Sequence, residues 1–272
     1  MSDEEAAKVA EKLRKALKPL LARRQAQLRT EALAVNIAMN VVKDDKKRVL
    51  FVSLEMSTTA LAKRILAGEI KFDSVSAKNG LFSTEERKRQ EEKIKAAEAA
   101  YKSRKLIIND RVGHEISDVR ALARREKRNE GGLDLVIVDY LQLMESREHS
   151  RQNNRQLVVG HISGQLKQMA LELECPVLVL SQLSRNNENR EDKRPQLSDL
   201  RDSGAIEQDA DVVILLSDPN KGKADNGGSH DLREPKLISV NIAKNRNGNV
   251  RDDIKLNFHG NYTKFEELHA SQ

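Results

Sequence analysis

One cysteine, no tryptophan and few aromatic rings of any kind set the first limits on this chain of 272 residues. The lone Cys175, followed by Pro176 in an apolar run, permits neither a disulfide framework nor a cysteine-rich metal site within the chain. A reducing, cytoplasmic setting is expected. With aromatics at 3%, the core falls to Leu, Ile, Val and Ala. No apolar stretch approaches the roughly 20 residues that span a bilayer. The opening Ser2-Asp3-Glu4-Glu5 lacks the basic and then apolar order of a signal peptide. Neither membrane insertion nor secretion is expected.

What the chain does have is charge, 33% of residues, over a hydrophobic share of 38%. Lys and Arg number 48 against 42 Asp and Glu, a formal net charge of +6. Such a balance suits a polyanion partner, although it argues about attraction and not about fold.

Along the first 43 residues Ala6, Val9, Ala10, Leu13, Ala16 and Leu17 recur at helical spacing, with acids before bases. Pro19 interrupts the run, and a second helical pattern continues through Leu28, Ala32, Leu33, Val35, Asn36, Ile37 and Met39. The run Val49-Leu50-Phe51-Val52 then reads as a buried strand. Further strands are expected at 105–109, 134–139, 176–181 and 211–216, and helices at 57–68, 84–103, 115–129 and 154–174. This alternation predicts an α/β fold, a mainly parallel sheet flanked by helices on both faces. Residues 185–204 read as a long exposed loop and 217–234 as a hairpin tip or mobile insertion, while 236–244 and 253–258 are expected as antiparallel edge strands.

Three strand ends carry polar groups suited to chemistry. Leu135-Val136-Ile137-Val138-Asp139 is an apolar strand ending in an acid, placed to hold Mg²⁺ through its waters. Glu55 follows Phe51-Val52-Ser53-Leu54 and could act as a general base on an attacking water. Gln182 ends Val177-Leu178-Val179-Leu180-Ser181 and could sense a γ-phosphate or its loss. Each of these alone is also what an ordinary polar strand end looks like.

The strings Ser53-Leu54-Glu55-Met56, Val138-Asp139-Tyr140-Leu141-Gln142-Leu143 and Ser181-Gln182-Leu183-Ser184-Arg185 resemble successive motifs of the DnaB-type replicative helicases. So do Lys193-Arg194-Pro195, the run from Asp199-Leu200-Arg201-Asp202-Ser203-Gly204 to Asp211, and Lys244-Asn245-Arg246-Asn247-Gly248. They stand in the family's order over residues 32 to 266. The resemblance implies a RecA-like P-loop NTPase core over 32–272, with 1–31 as a divergent helical segment. It implies ATP and Mg²⁺ as cofactors, and single-stranded DNA, a homo-hexamer and a helicase loader or primase as partners. Carried over by position, Glu55 is the catalytic glutamate, Asp139 the Mg²⁺-associated acid and Gln182 the switch residue. Arg201, Asp202 and Gly204 would touch the single-strand backbone. Lys244 and Arg246 would reach a neighbouring subunit's ATP.

One motif of that family is missing. Its phosphate loop, Gly-x-x-x-x-Gly-Lys-Thr, should precede Ala32-Leu33-Ala34-Val35-Asn36-Ile37-Ala38, where the chain reads Arg23-Arg24-Gln25-Ala26-Gln27-Leu28-Arg29-Thr30-Glu31. The first glycine is Gly68. Either Arg29-Thr30 or Thr30-Glu31 can be set against the family's Lys-Thr, and both alignments lack the glycines. These are good helix formers, so a continuous helix is expected where the family folds a phosphate nest.

Overall fold

The computed structural model describes residues 25–101, 104–129, 131–147, 154–184, 194–220 and 233–268. Two apolar runs, Val49–Ser53 (β1) and Leu135–Asp139 (β3), are buried at every position. They pair in parallel, flanked by the half-buried edges Leu106–Asn109 (β2) and Val177–Val179 (β4), in the order β2-β1-β3-β4. Successive side chains of a strand point to opposite faces, and the core divides accordingly. Leu50, Val52, Val136 and Val138 pack with helices Ile116–Arg128 (α5) and Arg155–Leu173 (α6). Val49, Phe51, Leu135 and Ile137 pack with the helix at residues 25–41 (α1) and with Thr58–Ile70 (α2).

Local signals set the helix ends. Ser57 caps α2 by accepting from Ala60 N–H, and Asn154 caps α6 by accepting from Gln156 N–H. Helix α6 stops at Glu174 in the left-handed region (φ 46°), just before Pro176. The short Ser74–Lys78 (α3) and the polar Thr84–Tyr101 (α4) complete the crossover from β1 to β2. Asp134 accepts from Arg48 N–H and pairs with Lys47 (2.9 Å each), tying the start of β3 to the start of β1.

A second sheet is antiparallel throughout, in the order Val212–Ser217 (β5), Lys236–Asn245 (β6), Arg251–His259 (β7) and Lys264–Glu267 (β8). The strand expected at 211–216 therefore exists but does not extend the parallel series: it pairs antiparallel with β6, Ser217 opposite Ser239. Its apolar composition marked a strand, but direction is decided by the returning chain. Residues 185–204 were expected as open loop. Their described part instead holds a 3₁₀ helix, Leu197–Ser203, running into helix Gly204–Asp209 (α7). The buried Asp199 carboxylate accepts from Gln196 N–H (2.8 Å) and closes a local box that stabilises this turn. Gly160 on α6 lets α7 approach; a Cβ there would meet Ala205 Cβ at 3.3 Å. The helical pattern expected from Ala6 to Leu17 and most of the hairpin tip at 217–234 lie outside the described residues.

Helix α1 connects the two sheets. Its Ala34, Val35, Ala38 and Met39 face the parallel sheet, and Leu28, Ala32 and Leu33 pack with Ile238, Phe258 and Phe265 of the antiparallel one. Asn36 Nδ2 donates to Phe265 O at 3.1 Å. Ile137, at the centre of the parallel sheet, has no exposed surface. Ile137→Ala is expected to lower stability by about 2–5 kcal/mol. By contrast, Leu171→Ala, at a residue 66% exposed, should stay within about 0.5 kcal/mol. Urea unfolding of both variants checks this, and equal losses would refute the layer assignment.

Candidate functional site

Parallel strands deliver their last residues to one edge. Ser53 and Asp139 are direct partners in the ladder, and Leu54 N–H donates to Asp139 O (2.8 Å). That register brings Glu55, just beyond β1, and Asp139 to the same rim. Asp139 is 2% exposed, and its Oδ1 finds no hydrogen-bond partner among the described residues. Burial first, and then the Glu31 and Glu55 carboxylates, push its carboxyl up to about 7, with Arg64 pulling it back. Glu55 is exposed yet also raised, by partial burial and by Glu31, while a hydrogen bond from the Gln27 amide opposes the rise.

Helix α1 supplies the rest of this rim. It runs unbroken across residues 25–41, so Arg29, Thr30 and Glu31 lie within a helix. Gln27 and Glu31, one turn apart, both face the strand ends: Gln27 donates to Glu55 Oε2, and buried Glu31 is bonded to Arg64 of α2. Arg29 turns away to Asp218 (3.2 Å), and the Thr30 hydroxyl donates to Ala26 O (3.2 Å). Arg29 and Thr30 therefore spend their polar groups within the protein, as does Glu31. Sequence reasoning missed Gln27 and Arg64; the four-residue spacing of Gln27 and Glu31 was the available signal for the first.

Gln182 lies beyond β4, exposed, and lines a cleft of about 890 Å³ together with Gln27, Glu31 and Asp139. Its backbone is held by Gln142, whose Oε1 accepts from Gln182 N–H (3.1 Å) and whose Nε2 donates to Gln182 O (3.2 Å). Glu31, Glu55, Asp139 and Gln182 are thus gathered at one sheet edge. Lys244 and Arg246 are turned elsewhere. Lys244 donates to Glu207 O and Gln208 O, and Arg246 donates to Gln208 O (2.9 Å) and pairs with Asp211 (3.1 Å) at the end of α7. Arg201 and Asp202 belong to the 3₁₀ helix before α7, and Gly204 is the exposed first residue of α7.

These residues do not fit an ATP phosphate group. A nest needs free backbone N–H groups, whereas from Arg29 onward α1 engages its own in helical bonds, and Gln27 and Glu31 stand in the approach to Glu55 and Asp139. Among the described residues, no group of three or more His, Cys, Asp or Glu side chains is arranged to hold a metal ion.

The rim carries a stability cost that pH should expose. Because Asp139 binds its proton more tightly folded than unfolded, its contribution is complete below about pH 4 and is lost as pH rises through about 7. Asp139→Asn should flatten this dependence and be more stable at pH 8 by on the order of 2–4 kcal/mol. Thermal melts at pH 5 and pH 8 test it; an unchanged slope in the variant would show that Asp139 is not the group behind the dependence. Arg64→Met, which strands buried Glu31, should cost about 3–5 kcal/mol. Adding Glu31→Gln should restore most of that loss in the same melts.

Residues 15–267 match the family model described as DnaB-like helicase C terminal domain. The chain is 40% identical over 237 residues to the replicative DNA helicase DnaB of Geobacillus stearothermophilus, covering 87% of this chain and 49% of that protein. To the replicative DNA helicase DnaC of Bacillus subtilis it is 38% identical with the same coverage. The chain spans about half the length of these curated relatives. Among solved structures, one ATPase domain superposes with a TM-score of 0.77 at 33% identity, covering 89% of this chain and 81% of that one. A DnaB-like replicative helicase, solved in a study of its interactions with primase, gives 0.76 at 33% identity, covering 89% and 55%. No helix among the described residues is long and apolar enough to cross a membrane. With the strand-end acids, the layered sheet and these matches in agreement, the chain belongs to the DnaB-like helicase C-terminal domain family and carries its RecA-like fold.

Proposed function

We propose that this chain is a helicase-type domain that grips single-stranded DNA and assembles with copies of itself or with a related helicase while its own phosphate site stays closed. The observation that carries this reading is α1, a continuous helix whose Gln27 and Glu31 are already bonded to Glu55 and Arg64 where a phosphate loop would have to open. ATP could enter only by unwinding the first turns of that helix and breaking both contacts. Grip on DNA falls to Arg201, Asp202 and Gly204 at the entrance to α7, aided by the net charge of +6. The family of the relatives makes a homo-hexamer the expected assembly. Primase, named for one solved relative, or a helicase loader is the further partner class.

A second reading rests on a different observation, that Glu55, Asp139 and Gln182 still converge on one rim. In it the domain is a motor coupling ATP hydrolysis to translocation on single-stranded DNA and to duplex unwinding. Asp139 would hold Mg²⁺, Glu55 would orient the attacking water, and Lys244 and Arg246 would reach a neighbour's nucleotide. That last role requires both basic side chains to leave α7.

Equilibrium binding separates the two. A fluorescent ATP analogue with Mg²⁺ should show no saturable binding to the protein or to Asp139→Ala, while a labelled oligonucleotide binds at low salt. Arg201→Ala should weaken that binding and reduce the salt slope by about 1. Saturable nucleotide binding that vanishes in Asp139→Ala would replace the first reading with the second.

A further inference from the structure

The turn from β6 to β7 carries the pair Asn247-Gly248, and both residues are exposed. Neither the Asn247 side-chain amide nor the Gly248 N–H has a hydrogen-bond partner among the described residues. The turn is held by its flanks instead. Arg246 N–H donates to Asp211 O (2.8 Å), and Asn245 Nδ2 donates to Asn249 O (3.3 Å), spanning the pair. Asn245 lies so close over Gly248 that a Cβ there would meet its Nδ2 at 2.7 Å. The turn thus keeps a glycine directly after an unbonded asparagine.

Such a pair sets an electrophile beside a nucleophile. The amide carbon of Asn247 is open to attack by the next backbone nitrogen, and without a Cβ on Gly248 that nitrogen meets little steric resistance. It attacks only after shedding its proton, so an N–H that already donates is protected, as it is in amide exchange. The chain supplies its own comparison. Asn79-Gly80 is exposed as well, but Gly80 N–H donates to Ala77 O (3.2 Å) and Gly80 is held in the left-handed region at φ 68°. A third pair, Asn226-Gly227, lies outside the described residues.

We propose that Asn247 is a site of spontaneous deamidation, favoured by the fold over Asn79. The Gly248 nitrogen bonds to Asn247 Cγ, ammonia leaves with the proton of that N–H, and solvent water opens the cyclic imide at either carbonyl. The product is aspartate or isoaspartate, with no change of oxidation state. Either way a neutral amide becomes a carboxylate, and the net charge of +6 falls by one. The new carboxylate stands next to Arg246, whose guanidinium pairs with Asp211 (3.1 Å) and donates to Gln208 O (2.9 Å). Arg246 thereby gains a second anion to pair with. The isoaspartate form also lengthens the main chain inside the span that Asn245 and Asn249 close. The inference is independent of the nucleotide question, since it uses only this turn.

Peptide mapping of the full chain after ageing at pH 8 tests it, because trypsin separates residues 247–251 from residues 79–87. Conversion at Asn247 should outpace that at Asn79 by about fivefold or more, the factor that one hydrogen bond of about 1 kcal/mol is worth. An isoaspartate-specific methyltransferase should label 247–251 in the aged protein and leave the same stretch of Asn247→Gln unlabelled, since glutamine would have to close a larger ring. In urea the two peptides should convert at similar rates, because the fold no longer tells them apart. No conversion at Asn247, equal rates in the folded protein, or a ratio that urea leaves unchanged would overturn the proposal.

Discussion

The burial of α1 in two cores at once is the constraint on which this molecule depends. No described hydrogen-bond ladder joins the parallel sheet to the antiparallel one, so the packing of Ala34, Val35 and Ala38 on one side and Leu28, Ala32 and Leu33 on the other carries much of their relative placement. A helix pinned on two sides has little freedom to rotate. The directions of its remaining side chains follow from the same packing, and they aim Gln27 and Glu31 at the strand ends. The placement of Gln27 and Glu31 at the rim thus follows from core formation, which buries far more apolar surface than any single hydrogen bond could offset.

The rim concentrates negative charge against one guanidinium. Glu31 raises the carboxyls of both Glu55 and Asp139, and Arg64 is the cation that opposes the rise at each. A carboxylate so placed destabilises the folded chain at neutral and higher pH. The same arrangement separates two features that family likeness would bundle together: the acids are present, and the backbone donors that a phosphate needs are engaged in helix.

Much of the fold could be read from the chain alone. β1 and β3 announced themselves through unbroken apolar runs, and helices α2, α4, α5 and α6 began and ended within a few residues of where periodicity placed them. β5 was legible as a strand but not in direction, because apolar content carries no sign of which neighbour returns. The 3₁₀ turn around Asp199 was hidden by its polar composition, and strand β8, at Lys264–Glu267, by its shortness. At the site, Glu55, Asp139 and Gln182 were visible as strand ends. The Glu31–Arg64 pair was not, since it joins two helices whose facing is settled only by packing.

Lys244 and Arg246 hold the end of α7. Together they cap the carbonyl end of that helix, satisfying Glu207 O and Gln208 O, while Asp211 is shared between Arg246 and Lys167 of α6. Without these two cations the helix would lose its C-terminal counter-charge. The basic pair thus holds the far end of the short helix whose near end, at Gly204, follows directly on the turn that carries Arg201 and Asp202.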